Sequence, residues 1–274
     1  MIPPLTPTFT LNNGISMPRV GLGTYMLSGT LGKLTMKQAI KLGYRLFDTA
    51  TLYGNEQELG EALAESGLSR QEFFITTKVW NSDQGYASTL RAFETSLKQL
   101  NLEYVDLYLI HWPVPGKRKD TWRALEKLYS DEKCRAIGVS NYYIPHIEEL
   151  LSYALIPPMV NQVEFSPFLF LPELLTYCKS DDILLQCYSP LTHGNRIYNS
   201  VIQSVAQSYQ KKEAQVLLKW CLQHNTSVIP KASSKKHLEE NIALFDFELS
   251  SSDMLRLDQL HENLHTDWDP STVL

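Results

Sequence analysis

Two hydrophobic periods alternate along this chain. Short apolar runs such as Tyr44-Arg-Leu-Phe-Asp48, Phe73-Phe-Ile-Thr-Thr-Lys78 and Val105-Asp-Leu-Tyr-Leu-Ile-His111 have the length and content of buried strands. Between them lie longer stretches with apolar residues three and four apart, the signature of helices packed by one face. The pattern predicts strands near 20–25, 45–50, 73–79, 105–111, 135–140, 160–165, 183–188 and 226–231. It predicts helices near 35–43, 56–66, 87–100, 120–132, 145–154, 171–180, 198–209, 213–224, 235–243 and 251–263. Gly43 and Gly67 stop the first two helices, because glycine tolerates the left-handed backbone of a C-terminal cap. Pro172 suits the first turn of another. Ahead of all these, two short extended runs flank Asn13-Gly14, a hairpin turn signal.

Eight strand–helix units after one hairpin predict an α/β fold. The expected form is a (β/α)8 TIM barrel with an N-terminal β-hairpin and an extra C-terminal helix, one domain over residues 1–274. The rival is an open doubly wound sheet. Its dinucleotide fingerprint is incomplete here: Gly21-Leu-Gly23-Thr-Tyr-Met26 has two of the three glycines, and the next helix starts too late to receive a pyrophosphate.

Bulk numbers narrow the function. Hydrophobic residues make up 43% and charged residues 20%, as in soluble globular proteins. A net charge of −5 argues against an unspecific grip on nucleic acid or on an acidic membrane. No apolar run reaches the ~18 residues of a membrane helix, and Met1-Ile-Pro-Pro-Leu-Thr-Pro7 lacks the features of a signal peptide. Cys134, Cys178, Cys187 and Cys221 have no metal-binding spacing and read as reduced thiols of a cytoplasmic protein. No apolar stripe demands a protein partner, so a monomer acting on a small molecule is expected.

The chemistry gathers at strand ends. Asp48 ends the second barrel strand, Tyr53 follows in its loop, and Lys78 and His111 end the third and fourth. In a barrel these positions share the C-terminal rim, where active sites lie. Asp48 would keep Lys78 charged, and Lys78 would ease proton loss from Tyr53. Tyr53 would then serve as general acid toward a developing alkoxide, with His111 donating a hydrogen bond to the same oxygen. A second group follows the last two strands. Ser189-Pro-Leu191, and Lys231 with Ser233, Ser234, Lys235, Lys236 and His237, form an anion site at a helix start. Ser140, Asn141 and Gln162 offer groups that fix a carboxamide, and Tyr188 offers a flat face. Tyr25, Trp80 and Trp112 would wall an apolar pocket.

These residues lie in segments that resemble the aldo-keto reductase family over the full chain. The segments are Met17-Pro-Arg-Val-Gly-Leu-Gly-Thr24, Phe47-Asp-Thr-Ala-Thr-Leu-Tyr-Gly-Asn-Glu56, Thr77-Lys-Val-Trp80, Asp106-Leu-Tyr-Leu-Ile-His-Trp-Pro113, Ile137-Gly-Val-Ser-Asn141, Asn161-Gln-Val-Glu164, Tyr188-Ser-Pro-Leu191 and Ile229-Pro-Lys231 through Asn241. The resemblance implies NADPH bound extended across the rim and reduction of a carbonyl substrate. It implies a catalytic tetrad of Asp48, Tyr53, Lys78 and His111. It also implies cofactor contacts at Gly23, Thr24, Asp48, Ser140, Asn141, Gln162, Tyr188, Ser189, Leu191, Lys231, Ala232, Ser233, His237, Glu240 and Asn241. Where the family often has an arginine, this chain has His237, so NADH is the weaker alternative cofactor. The link from His111 to the helix near Asp120 is short and little follows Trp268, so a shallow, open pocket is expected. Two other readings stand beside the reductase. One is a nicotinamide-sensing subunit with little turnover. The other is a zinc hydrolase built on His261-Glu-Asn-Leu-His265, which fits HExxH.

Overall fold

The computed structural model describes residues 7–273. The Met1–Thr6 part of the segment read for a signal peptide lies outside the described residues. Strands β1 (Thr8–Thr10) and β2 (Ser16–Pro18) pair antiparallel, with Phe9 opposite Met17. Gly14 takes φ +84° at the turn, and the Asn13 side chain caps it by accepting from Ile15 N at 3.2 Å. Asn12 and Asn13 donate onward to Pro158 O and Arg135 O. The hairpin is thereby fastened to the segments that feed two of the barrel strands.

Those strands are β3 (Leu22–Gly23), β4 (Leu46–Asp48), β5 (Phe74–Val79), β6 (Val105–Ile110), β7 (Cys134–Ser140), β8 (Val160–Glu164), β9 (Leu184–Tyr188) and β10 (Ser227–Val228). They pair in parallel in chain order. Backbone bonds from Gly21 N to Val228 O and from Val228 N to Arg19 O, both 2.9 Å, join the first strand to the last and close the cylinder. Gly23 permits this close approach, since a Cβ there would lie 2.6 Å from Ile229 O. The two seam strands pair regularly over only two residues each, fewer than their apolar runs predict.

Helices α1 (Gly29–Lys41), α2 (Glu56–Ala64), α3 (Tyr86–Leu100), α4 (Arg118–Ser130), α5 (Ile144–Leu151), α6 (Pro172–Ser180), α7 (Ser200–Tyr209), α8 (Glu213–Gln223) and α9 (Lys235–Ile242) follow, with α10 (Ser251–Asp258) last. Two depart from expectation. α1 begins six residues early, through Gly29 and Gly32, glycines that read as loop. A Cβ on Gly32 would sit 2.4 Å from the Leu27 carbonyl carbon, so tight packing selects the glycine that hides the helix. α10 stops at Asp258, and the chain from His261 to Asp269 runs irregularly, with Asn263 at φ +54°. Among the described residues no helix is long and apolar enough to cross a membrane.

Candidate active site

The C-terminal ends of β4, β5 and β6 bring the predicted tetrad together. Lys78 Nζ lies 2.5 Å from Asp48 Oδ1, donates to Thr49 O at 2.9 Å, and reaches Tyr53 Oη at 3.4 Å. Asp48 Oδ2 accepts from Gln162 Nε2 at 2.7 Å, and the same nitrogen donates to Gln186 Oε1 at 2.8 Å. Both ions are buried, at a desolvation cost of several kcal/mol each. Burial therefore pushes the Lys78 ammonium down and the Asp48 carboxyl up, and their mutual attraction opposes both shifts.

Tyr53 departs from the sequence expectation. Burial first, then the Asp48 carboxylate, raise its phenol well above the ordinary value. Asp48, at contact distance from Lys78, opposes the pull of that cation on the phenol. The phenol accordingly holds its proton at neutral pH, the state a general acid needs. His111 is held neutral, well below its ordinary pKa, by burial and then by Lys78. Its Nδ1 is buried without a partner. The tautomer with the proton on Nε2 leaves only an acceptor stranded and keeps the donor for the mouth.

Ser140, Asn141 and Tyr188 form one cluster. Asn141, at φ +65°, donates from Nδ2 to His111 O at 3.0 Å and to Ser140 Oγ at 3.2 Å, and its Oδ1 accepts from Tyr188 Oη at 2.8 Å. This uses both Asn141 amide protons and one lone pair of its Oδ1, and leaves over the Ser140 hydroxyl proton, Gln162 Oε1 and the second lone pair of Asn141 Oδ1. A donor beside acceptors matches a primary carboxamide, so these residues fit a nicotinamide. Thr24 does not offer its hydroxyl, which is buried and donates to Asp48 O at 2.9 Å. Gly23 likewise serves the β3–β10 approach.

After β9, Ser189 (φ +46°) turns the chain, and its Oγ lies 3.0 Å from His193 Nε2. Leu191 leads into Thr192 and His193, both also at positive φ. At α9, Ser234 caps the helix by accepting from His237 N at 3.2 Å. Lys231, Ser233 and His237 stand exposed around that end, whereas Ala232 and Asn241 are buried. Glu240 lies 4.0 Å from Lys236. Exposed cations and hydroxyls at a helix start fit a phosphate.

Aromatic rings surround the mouth. Tyr25 lies 5.1 Å from Tyr53 between centroids, and Trp80 meets His111 edge-on at 5.1 Å. Trp112 is only 9% exposed and is covered by Trp268 at 5.4 Å, so it backs the wall more than it lines it. Sequence reasoning missed Gln186, which links Gln162 to Ser227 inside the barrel. A lone amide in the apolar run Leu184–Tyr188 was the available signal. It also missed the job of Glu164, whose carboxylate accepts from Thr266 N, Thr266 Oγ1 and Asp267 N.

Other candidates carry no chemistry. A groove of about 430 Å³ between α1 and α2 lies on the outer wall, and its Lys33 is already bonded to Glu61 and Glu65. The HExxH spacing needs a helix, and residues 261–265 are not one. His261 Nδ1 instead accepts from Phe170 N, Glu262 pairs with Arg196 at 2.7 Å, and His265 faces Asp269. The zinc-hydrolase reading is thereby set aside.

Comparison with known proteins agrees with this geometry. The model of the Aldo/keto reductase family matches residues 19–262. A glyoxal reductase of Bacillus subtilis (strain 168) is 51% identical over 98% of each chain. Among solved structures, an aldo-keto reductase from a Medee basin deep-sea metagenome library superposes with a TM-score of 0.93 at 40% identity, over 95% of this chain and 97% of that one. A Bombyx mori aldo-keto reductase in complex with NADP superposes with a TM-score of 0.90 at 31% identity, over 96% and 95%. With its family model, its relatives and its rim constellation in agreement, the chain belongs to the aldo/keto reductase family.

Proposed function

We propose that this protein reduces aldehydes and ketones to alcohols with NADPH, and that Tyr53 is the general acid. The observation that carries this reading is the Asp48–Lys78–Tyr53 line, in which a buried ion pair holds a protonated phenol at the rim. When bound, NADPH supplies the hydride that reaches the carbonyl carbon. Tyr53 delivers a proton to the carbonyl oxygen as negative charge develops there. Lys78 and the His111 Nε2–H stabilise that oxygen. Asp48 touches no substrate; it fixes Lys78 and, through Gln162, the amide site. Ser140, Asn141 and Gln162 would hold the carboxamide, Tyr188 would offer its face to the ring, and Ser189 and Leu191 would meet the pyrophosphate. Lys231, Ser233 and His237 receive the 2′-phosphate, with Glu240 and Asn241 on the adenine side.

Short, reactive carbonyls are the favoured substrates. The named glyoxal reductase supports this, as does a mouth opened by the short segment between β6 and α4. The protein is further proposed to act as a cytoplasmic monomer, which light scattering and cell fractionation test. A panel of glyoxals and aromatic aldehydes, run with NADPH and with NADH, tests the main reading. Turnover with NADPH in preference to NADH is expected. Tight NADPH binding with no turnover on any carbonyl would replace the reductase by the nicotinamide-sensing reading.

A further inference from the structure

The segment after α10 returns across the barrel mouth. Glu262 N and Leu264 N both donate to Phe168 O at 3.1 Å. Thr266 N donates to Glu164 Oε1 at 2.9 Å, Thr266 Oγ1 donates to the same oxygen, and Asp267 N reaches Oε2 at 3.3 Å. One residue later Trp268 covers Trp112. Glu164 ends β8, two residues beyond Gln162, so these bonds seat the segment on the rim of the amide site. Asp267 is exposed between its two anchors, Glu164 and the Trp112–Trp268 contact.

The charges around it do not cancel it. Lys78 is matched by Asp48, and burial keeps His111 neutral. The segment's other ions are engaged elsewhere, Glu262 with Arg196 and His265 with Asp269. Glu164 is held entirely by uncharged donors. Burial is the first reason that both Tyr53 and Tyr188 resist ionisation, the carboxylates of Asp48 and Glu164 respectively come second, and the Asp267 carboxylate adds a smaller share at each. With its N–H bonded to Glu164 at the end of β8, Asp267 thus sits on the rim that also carries Tyr53 and the nicotinamide-facing Tyr188.

We propose that Asp267, backed by Glu164, selects against carbonyl substrates that carry their own carboxylate and favours neutral or cationic ones. The inference rests on the carbonyl-reductase reading and adds the charge class of the substrate. The physics is repulsion of like charge, a common route to specificity. It acts through partly solvated space, so salt weakens it.

The test uses isosteric substrates, para-formylbenzoate and para-formylbenzamide, on the full chain and on Asp267→Asn. The full chain is expected to favour the amide in kcat/KM. Asp267→Asn should shrink that preference about fivefold, the scale of two unit charges near contact in water. Raising salt from about 20 to about 200 mM should shrink it in the full chain and much less in the variant. A ratio that stays within about twofold on substitution, or a full chain that prefers the benzoate, overturns the proposal. Failure to reduce either aldehyde would instead count against the reductase reading. Benzoate and benzamide binding, followed by tryptophan fluorescence, then decides the charge selection alone, and equal affinities end it.

Discussion

The two ends of the barrel each bury a carboxylate against cations, and they finish the job differently. At the N-terminal end, Asp106 takes Arg70 on Oδ2 at 2.6 Å, Arg135 on Oδ1 at 2.8 Å, and the Ile75 N–H on Oδ2. The bonds of Asp106 and of the Arg70 Nη atoms there close back onto the scaffold, and Arg70 Nε is buried within it without a partner. At the C-terminal end, Asp48 takes Lys78 and Gln162, but the network runs on to Tyr53 and a His111 ring with a stranded nitrogen. The first network ties β5, β6 and β7 together. The second stores unfinished hydrogen-bonding capacity where a substrate enters. Buried charge of the same kind is thus structure at one end and chemistry at the other, and what separates them is where the network stops: at the first it stops inside the scaffold, at an unpaired Arg70 Nε, and at the second it stops at Tyr53 and His111 on the rim.

The sharpest way to break this comparison is Tyr53→Phe. It should lower kcat by about 10²–10⁴-fold, the usual worth of a general acid, and leave NADPH affinity nearly unchanged in a fluorescence titration. Full turnover would place the acid elsewhere. Asp106→Ala should do the opposite, leaving kcat of the folded protein intact while stability drops. Removing one partner of a buried pair costs roughly 3–5 kcal/mol, and the partial exposure of Arg135 argues for the lower figure. Urea denaturation reads that loss, and a large fall in kcat without one would erase the distinction between the two ends.

A smaller effect concerns the adenosine side. Lys231→Met should weaken NADPH about tenfold, within the range for a charged hydrogen bond, and leave NADH nearly untouched. Equal loss for both cofactors would deny Lys231 its phosphate. The smallest effect is in the acid limb of stability. His111 has a depressed folded pKa, so the unfolded chain takes up a proton as pH falls through about 6.5 while the folded chain does not. Stability is therefore lost as pH drops below that value, by at most about 1.4 kcal/mol per unit from this residue. His111→Gln should flatten that share between about pH 6.5 and 5.5. His146, also depressed by burial, keeps its own. Denaturation midpoints at both ends of the window check it.

Much of this was legible before any coordinate. The apolar runs located the strands, and an acid, a lysine and a histidine at three strand ends located the rim. The proton state of Tyr53 was not legible, because it depends on how closely Asp48 cancels Lys78. The start of α1 was concealed by Gly32, a packing residue that reads locally as a break. The end of α10 was misjudged because apolar spacing continues past Asp258 while the chain turns to follow the rim.

The sequence by itself determined the order of strands and helices, and hence that Asp48, Lys78 and His111 share one rim. Those are consequences of periods two and 3.6, which act between neighbours in the chain. Only the tertiary structure decided the partners. Asp48 meets Gln162 across 114 positions, and Glu164 meets Thr266 across 102. A desolvated charge accepts whichever donor the closed barrel brings within about 3 Å, and no local pattern records which one arrives.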